Sequence, residues 1–125
     1  MQLNRKFLPY EFQKFSFVSL GAIPGSFIRW QLNNDLIVNL IGALILGFVI
    51  GYDVKPPLKL LIGVGFCGAL TTFSSWIVDC FQLLMDGYFL GAASLIIVPV
   101  FIGLFVSAIG HWIGIKFKFL RLDYL

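Results

Sequence analysis

Charge is the scarcest ingredient of this chain. Only 12% of its 125 residues are Asp, Glu, Lys or Arg, about half of the roughly 25% usual in a soluble domain. With 59% hydrophobic residues and a mean hydropathy of +0.95, that shortage excludes an ordinary soluble protein and points to the membrane class. Cysteine is nearly as rare. Cys67 and Cys80 lie on one apolar run, thirteen positions apart, about 20 Å if helical and too far for a disulfide; they read as small buried apolar residues. A single histidine, His111, rules out Cys/His metal spacing. No Gly-rich phosphate loop and no nucleophile–base pair can be found, so the chain does not read as an enzyme. Low-complexity segments and internal repeats are absent too.

What is present is a set of apolar runs. Four membrane spans are expected, at about 15–33, 36–52, 58–85 and 88–115, each at or near the ~20 residues that cross ~30 Å of hydrocarbon. The first is expected to be broken by Gly21, Pro24 and Gly25; the last carries Pro99 and the glycines Gly103, Gly110 and Gly114. The first run does not suit a signal peptide, because its basic residues are dispersed, Arg29 lies inside it and no small-residue cleavage site follows. Connections are short, so the whole of 1–125 reads as one integral membrane domain without a soluble module.

The few charges fall at the ends of the runs. With four spans, both termini and the connection between spans two and three share one face. That face collects Arg5, Lys6, Lys14, Lys55, Lys59, Lys116, Lys118 and Arg121, against Arg29 alone on the other. A Lys/Arg bias of this size places the basic face, and so both termini, in the cytoplasm. It also accounts for the net charge of +3. No basic stripe joins a soluble fold, so a nucleic-acid partner is not expected.

Polar groups at bilayer depth are costly, and where they cluster they tend to line a path or hold an ion. The segment Gly65 to Trp76, GFCGALTTFSSW, is such a cluster: Gly65 and Gly68, then four hydroxyls (Thr71, Thr72, Ser74, Ser75) within five positions. A helix interrupted between Gly68 and Thr72 would free carbonyls suited to a small hard cation such as Na⁺, and hydroxyls able to donate to an anion. Each hydroxyl alone would ordinarily back-bond to its own helix, but four within five positions after two glycines argue against that for the cluster. Asn39, the lone amide of span two, reads either as helix–helix glue or as a donor to an anion. Phe73 and Trp76, three apart, share a helical face; the two rings are core or lipid-facing in the plain reading, or present positive ring edges to an anion. Asp79, three further on, either snorkels to the headgroups or sits in a watery pore mouth. Arg29 is either a snorkelling interfacial residue beside Trp30 or a pore-mouth charge. Ser107 and His111 sit one turn apart and would extend a polar track.

Three segments, GAIPGSFIRW in span one, NLIGALILG in span two and GFCGALTTFSSW with Asp79 in span three, resemble the Fluc (CrcB) family of small bacterial fluoride channels. The resemblance covers most of the chain. It implies an antiparallel dimer of four-helix subunits, the third helix broken mid-membrane. Two fluoride paths and a structural Na⁺ at the dimer centre, held by the backbone carbonyls of Gly68 and Thr71, are implied as well. On the same grounds Asn39, Phe73, Trp76 and Thr72 line the anion path, Ser107 extends it, and the role is passive export of cytoplasmic fluoride through the bacterial inner membrane. Two positions depart from the family pattern: Trp76 stands where a phenylalanine is expected, and Pro99 stands near a position often occupied by a hydroxyl. The eight-to-one charge bias is a third oddity, since an antiparallel homodimer needs one sequence to insert both ways. A homologous partner of opposite bias is therefore expected. The rival readings are a non-conducting partner subunit and a small multidrug-type exporter; the latter calls for a membrane carboxylate that span one does not supply.

Overall fold

Apolar runs whose backbone must satisfy its own hydrogen bonds become helices, and among the described residues there is no strand. The structure, a computed structural model, describes residues 7–123; Arg5 and Lys6 of the basic set lie outside them. Helix α1 is Phe7–Leu32 and α2 is Asp35–Tyr52. The third rod, α3, joins an α-helical turn at Pro56–Leu58, a π-helical stretch at Lys59–Cys67 and a second α-helical turn at Gly68–Leu70. After a break come α4, Ser74–Met85, and α5, Phe89–Asp123.

The boundaries follow local chemistry. Asn34 caps α2, its side chain accepting from Ile37 N at 3.0 Å. Pro56 and Pro57 open α3, where their missing N–H groups cost nothing. Gly87, with φ 79°, makes the turn between α4 and α5. Two expectations change. Helix α1 is continuous through Gly21, Pro24 and Gly25: a proline there removes one helical bond, and the two glycines serve close packing instead of a break. Helix α5 runs on past residue 115 to Asp123, because the basic end, Lys116 to Arg121, is interleaved with Phe117, Phe119 and Leu120 and remains helical.

The helices associate as two pairs, α1 with α3 and α2 with α5, each seamed by glycine. A Cβ on Gly21 or Gly25 would fall under 3.0 Å from the backbone of Leu61 or Phe66, and one on Gly65 from Val18 O. In the other pair Gly47 and Gly51 lie on the carbonyls of Ser107 and His111, while Gly110 and Gly114 lie on those of Leu44 and Phe48. Small residues let backbones approach this closely where lipid supplies no hydrophobic drive. In both pairs residue numbers rise together across the seam, so α1 runs parallel to α3 and α2 to α5. The tight Asn33–Asn34 connection turns the second pair against the first.

The exterior is greasy. Val38, Val49, Cys67, Leu70, Cys80 and Ala92 form the small buried core, whereas large apolar side chains such as Leu90 (88%), Trp30 (72%) and Phe105 (69%) are exposed. Among the described residues three segments are long and apolar enough to cross a membrane: Asp35–Tyr52, Pro56–Met85 and Phe89–Arg121.

Candidate functional site

The site is built around the break. Thr71 is extended (φ −76°, ψ 153°) and the helix resumes at Ser74. Cys67 O accepts from both Thr71 N and Thr71 Oγ1, each at 3.0 Å, so this hydroxyl back-bonds to its own helix. In a continuous helix Thr72 N–H would close on Gly68 O. Instead it donates to Asn39 Oδ1 at 2.8 Å, and Asn39 Nδ2 donates to Thr72 O at 2.9 Å. The carboxamide of α2 thus pairs with one residue of the break as a second peptide unit would. It spends one of its two N–H groups and leaves the other free of this pairing.

Two clefts flank this pairing. One, of about 590 Å³, is lined by Asn39, Ser75, Trp76, Asp79, Leu95 and Pro99, with the α1–α2 connection at its mouth. The other, of about 390 Å³, is lined by Ser26, Arg29, Asp35, Thr72, Ser74 and Ser75. Thr72 Oγ1 and Ser75 Oγ lie 3.1 Å apart at the junction. Arg29 Nη1 donates to Thr71 O at 3.5 Å, so a fixed positive charge stands over that carbonyl. Phe73 and Trp76 meet edge to face, ring centroids 5.4 Å apart and planes at 69°. Phe73 itself is 65% exposed and lines neither cleft. Trp76 Nε1 donates to Leu95 O at 2.9 Å.

The residues singled out from the sequence therefore fall into three sets. Asn39, Thr72, Trp76, Asp79 and Arg29 converge on the break and its clefts, and Gly68 and Thr71 form the end of α3 beside them. Phe73 touches Trp76 but faces outward. Ser107 is removed from the group: its carbonyl packs against Gly47, deep in the α2–α5 seam, and it borders neither cleft. Sequence reading passes over Asn34 and Asp35 as connection and Leu95 as apolar filler. The parallel seam, which sets Gly47 against Ser107 and Gly51 against His111, puts Leu95 and Pro99 level with Asp35 and Asn39.

At the opposite end the basic residues gather around Asp53. Lys59 Nζ lies 2.8 Å and Lys118 Nζ 3.1 Å from its carboxylate, and Arg121 Nη1 donates to Tyr52 Oη at 3.1 Å. The hydrogen bonds from Lys59 and Lys118, and their charges, hold the Asp53 carboxyl below the usual carboxylate range.

Comparison with known proteins agrees with the resemblance seen in the sequence. A family model described as "CrcB-like protein, Camphor Resistance (CrcB)" matches residues 16–111. The chain is similar to "Fluoride-specific ion channel FluC 2" of Prochlorococcus marinus (strain MIT 9313), 50% identical over 89% of this chain and 90% of that one. Two further relatives come from one strain, Parasynechococcus marenigrum WH8102. They are "Fluoride-specific ion channel FluC 2", 38% identical over 86% of both chains, and "Fluoride-specific ion channel FluC 1", 35% identical over 78% of this chain and 90% of that one.

Proposed function

Because this chain belongs to the CrcB family, a family of channels and not enzymes, we propose that it conducts fluoride passively out of the cytoplasm across the bacterial inner membrane. In this reading it crosses the bilayer four times with both termini inside, and works as one subunit of an antiparallel dimer. The observation that carries the proposal is the Asn39 carboxamide locked onto Thr72 across the helix break.

Fluoride is small and strongly hydrated, so a selective path must replace its water with donors while excluding bulk solvent. The remaining Asn39 N–H and the one proton that the Thr72–Ser75 hydroxyl pair does not spend internally are such donors, held rigid because their helices are pinned at the break. Ring edges of Phe73 and Trp76 add weak positive potential where no water fits. Arg29 in the smaller cleft draws anions inward, and it is opposed by Asp35, which lines both clefts, and by Asp79 in the larger one. Ser107, distant from the clefts within one protomer, would meet the path only further toward the Asp53 end.

The break also suits a structural Na⁺. Gly68 O is released from Thr72 N–H, and Gly68 itself is exposed, with nothing within 4 Å of where a Cβ would be, so this side of the break has room for a facing copy. Gly68 O and Thr71 O are neutral hard-oxygen donors of the kind Na⁺ prefers, Thr71 O being shared with Arg29. A bound Na⁺ would supply fixed positive charge between two anion paths. The copy across the axis is best taken as a homologue of opposite Lys/Arg bias. The eight-to-one asymmetry supports this, as does the presence of both a FluC 1 and a FluC 2 relative in one strain.

Fluoride efflux from liposomes tests the reading, with this chain alone and with a FluC 1-type homologue. The paired protein should collapse a fluoride gradient, and Asn39→Asp should abolish the flux by placing a negative group on the path and removing the donor to Thr72 O. A gradient left standing by every pairing would sink the proposal; full flux from this chain alone would sink the heterodimer. One observation favours a second reading, a non-conducting partner subunit: the bulky Trp76 and Pro99 both line the larger cleft beside Asn39. That reading predicts flux only from the pair, and flux indifferent to Asn39→Asp in this chain.

A further inference from the structure

The two positions that depart from the family pattern, Trp76 and Pro99, meet at one atom. In the interior of α5 the carbonyl of Leu95 should accept from the N–H of residue 99, four positions on. Residue 99 is proline, which has no N–H. A carbonyl orphaned in a helix interior costs free energy unless another donor reaches it. Leu95 O is nevertheless satisfied, because Trp76 Nε1 on α4 donates to it at 2.9 Å in a part-buried position. The indole is a donor only, and a phenylalanine in its place would have nothing to offer. Leu95, Pro99 and Trp76 all line the larger cleft.

We propose that Pro99 and Trp76 form one positioning unit: Pro99 withholds the backbone N–H that would close on Leu95 O, and the freed carbonyl anchors the indole across the α4–α5 contact. The anchor sets which part of the ring meets the cleft. With Nε1 spent on Leu95 O, Trp76 presents carbon edges to an anion and holds its ring edge-to-face with Phe73. The larger ring then does the work of an aromatic edge and contributes no competing donor. The two substitutions compensate each other, so neither is an isolated defect. The proposal rests on the channel reading only in making this cleft the ion path; the bond itself is tested without transport.

The test compares the full chain as wild type, Trp76→Phe, Pro99→Ala and the double variant, in lipid nanodiscs. Thermal unfolding should show Trp76→Phe lowering Tm by about 5 °C in the wild-type background. In the Pro99→Ala background, where a backbone N–H is restored to Leu95 O, the same change should cost less than half that shift. Indole ¹⁵N spectra give a second readout. The Trp76 Nε1 proton should exchange at least about tenfold more slowly than the exposed indoles of Trp30 and Trp112, and Pro99→Ala should erase most of that protection. Equal Tm losses from Trp76→Phe in both backgrounds would overturn the proposal, and so would a wild-type Trp76 indole as open to exchange as Trp112. Fluoride efflux on the same samples separates the two claims: a coupled pair in a protein that carries no fluoride keeps this inference and removes the channel.

Discussion

The two ends of the α2–α5 pair are held by opposite means. Toward Asp53 the seam is dry and steric: glycines at 47, 51, 110 and 114 rest on backbone carbonyls with no room for a methyl group. Toward Asn34 the two helices line opposite sides of the larger cleft, and each is tied by hydrogen bonds to the broken third span instead, Asn39 of α2 to Thr72 and Leu95 of α5 to Trp76. Gly103 lies on the open side of this divide, with nothing within 4 Å of where its Cβ would be. A rigid seam at one end allows the other end to stay open without the bundle loosening. That is the arrangement an ion path needs, with donors held in place and not recruited.

The sharpest way to break the comparison is to put a side chain into the closed seam. Gly110→Val drives a Cβ onto Leu44 O and sets its two methyl groups against the α2 backbone, and should cost about 3 kcal/mol or more, read as loss of monodisperse protein and a collapsed Tm. Gly103→Ala is the matched control. It should change stability by less than about 1 kcal/mol, and in the favourable direction if helix propensity decides. Equal effects at the two glycines would show that the seam is not where the bundle is held.

The next effect lies at the break. Asn39→Ala strands both the N–H and the carbonyl of Thr72 in a part-buried setting, which should cost about 2 kcal/mol and lower fluoride efflux together with Tm. Phe73→Ile separates the two readouts. The ring is 65% exposed and borders neither cleft in one protomer, so protomer Tm should hold while efflux falls. Efflux at the wild-type level would take Phe73 off the path, and a large Tm loss would make it a packing residue.

This divide also marks how far the sequence can be read. Composition and apolar runs suffice for helices and their approximate ends, and the cluster from Gly68 to Ser75 announces the break within a residue or two. Glycines are harder, because the same residue loosens a helix or admits a neighbour. Gly21 and Gly25 suggest a break and are contact points instead, which only the opposing backbones of Leu61 and Phe66 reveal. The π-helical stretch at Lys59–Cys67 leaves no signature in an otherwise ordinary apolar run. Asn39 is legible as polar and misplaced, but its pairing with a main-chain unit 33 positions away is not, since backbone partners carry no residue identity. Leu95 is invisible for the same reason: its carbonyl, not its side chain, does the work.

The smallest expected effect belongs to Asp53, on the exposed rim of the glycine-seamed end. It holds a left-handed conformation (φ 58°) at the C-terminus of α2, which Asp and Asn tolerate better than most residues. Its carboxylate bridges Lys59 of α3 and Lys118 of α5, tying the two helix pairs together where both lysines are also the charges that orient the chain. Asp53→Asn keeps the backbone preference and removes the charge. The pairs are solvent-exposed, so the loss in Tm should be small and should shrink further in high salt. The sign with pH follows from the lowered carboxyl pKa. The bridge contributes fully above the unfolded value, about pH 4, and its contribution is lost as pH falls through the folded value below that. Wild type and Asp53→Asn should therefore differ in Tm from neutral pH down to about 4 and converge in stronger acid. A difference that persists in stronger acid, or survives molar salt, would mean that what Asp53 contributes at this end is not the charge of its bridge.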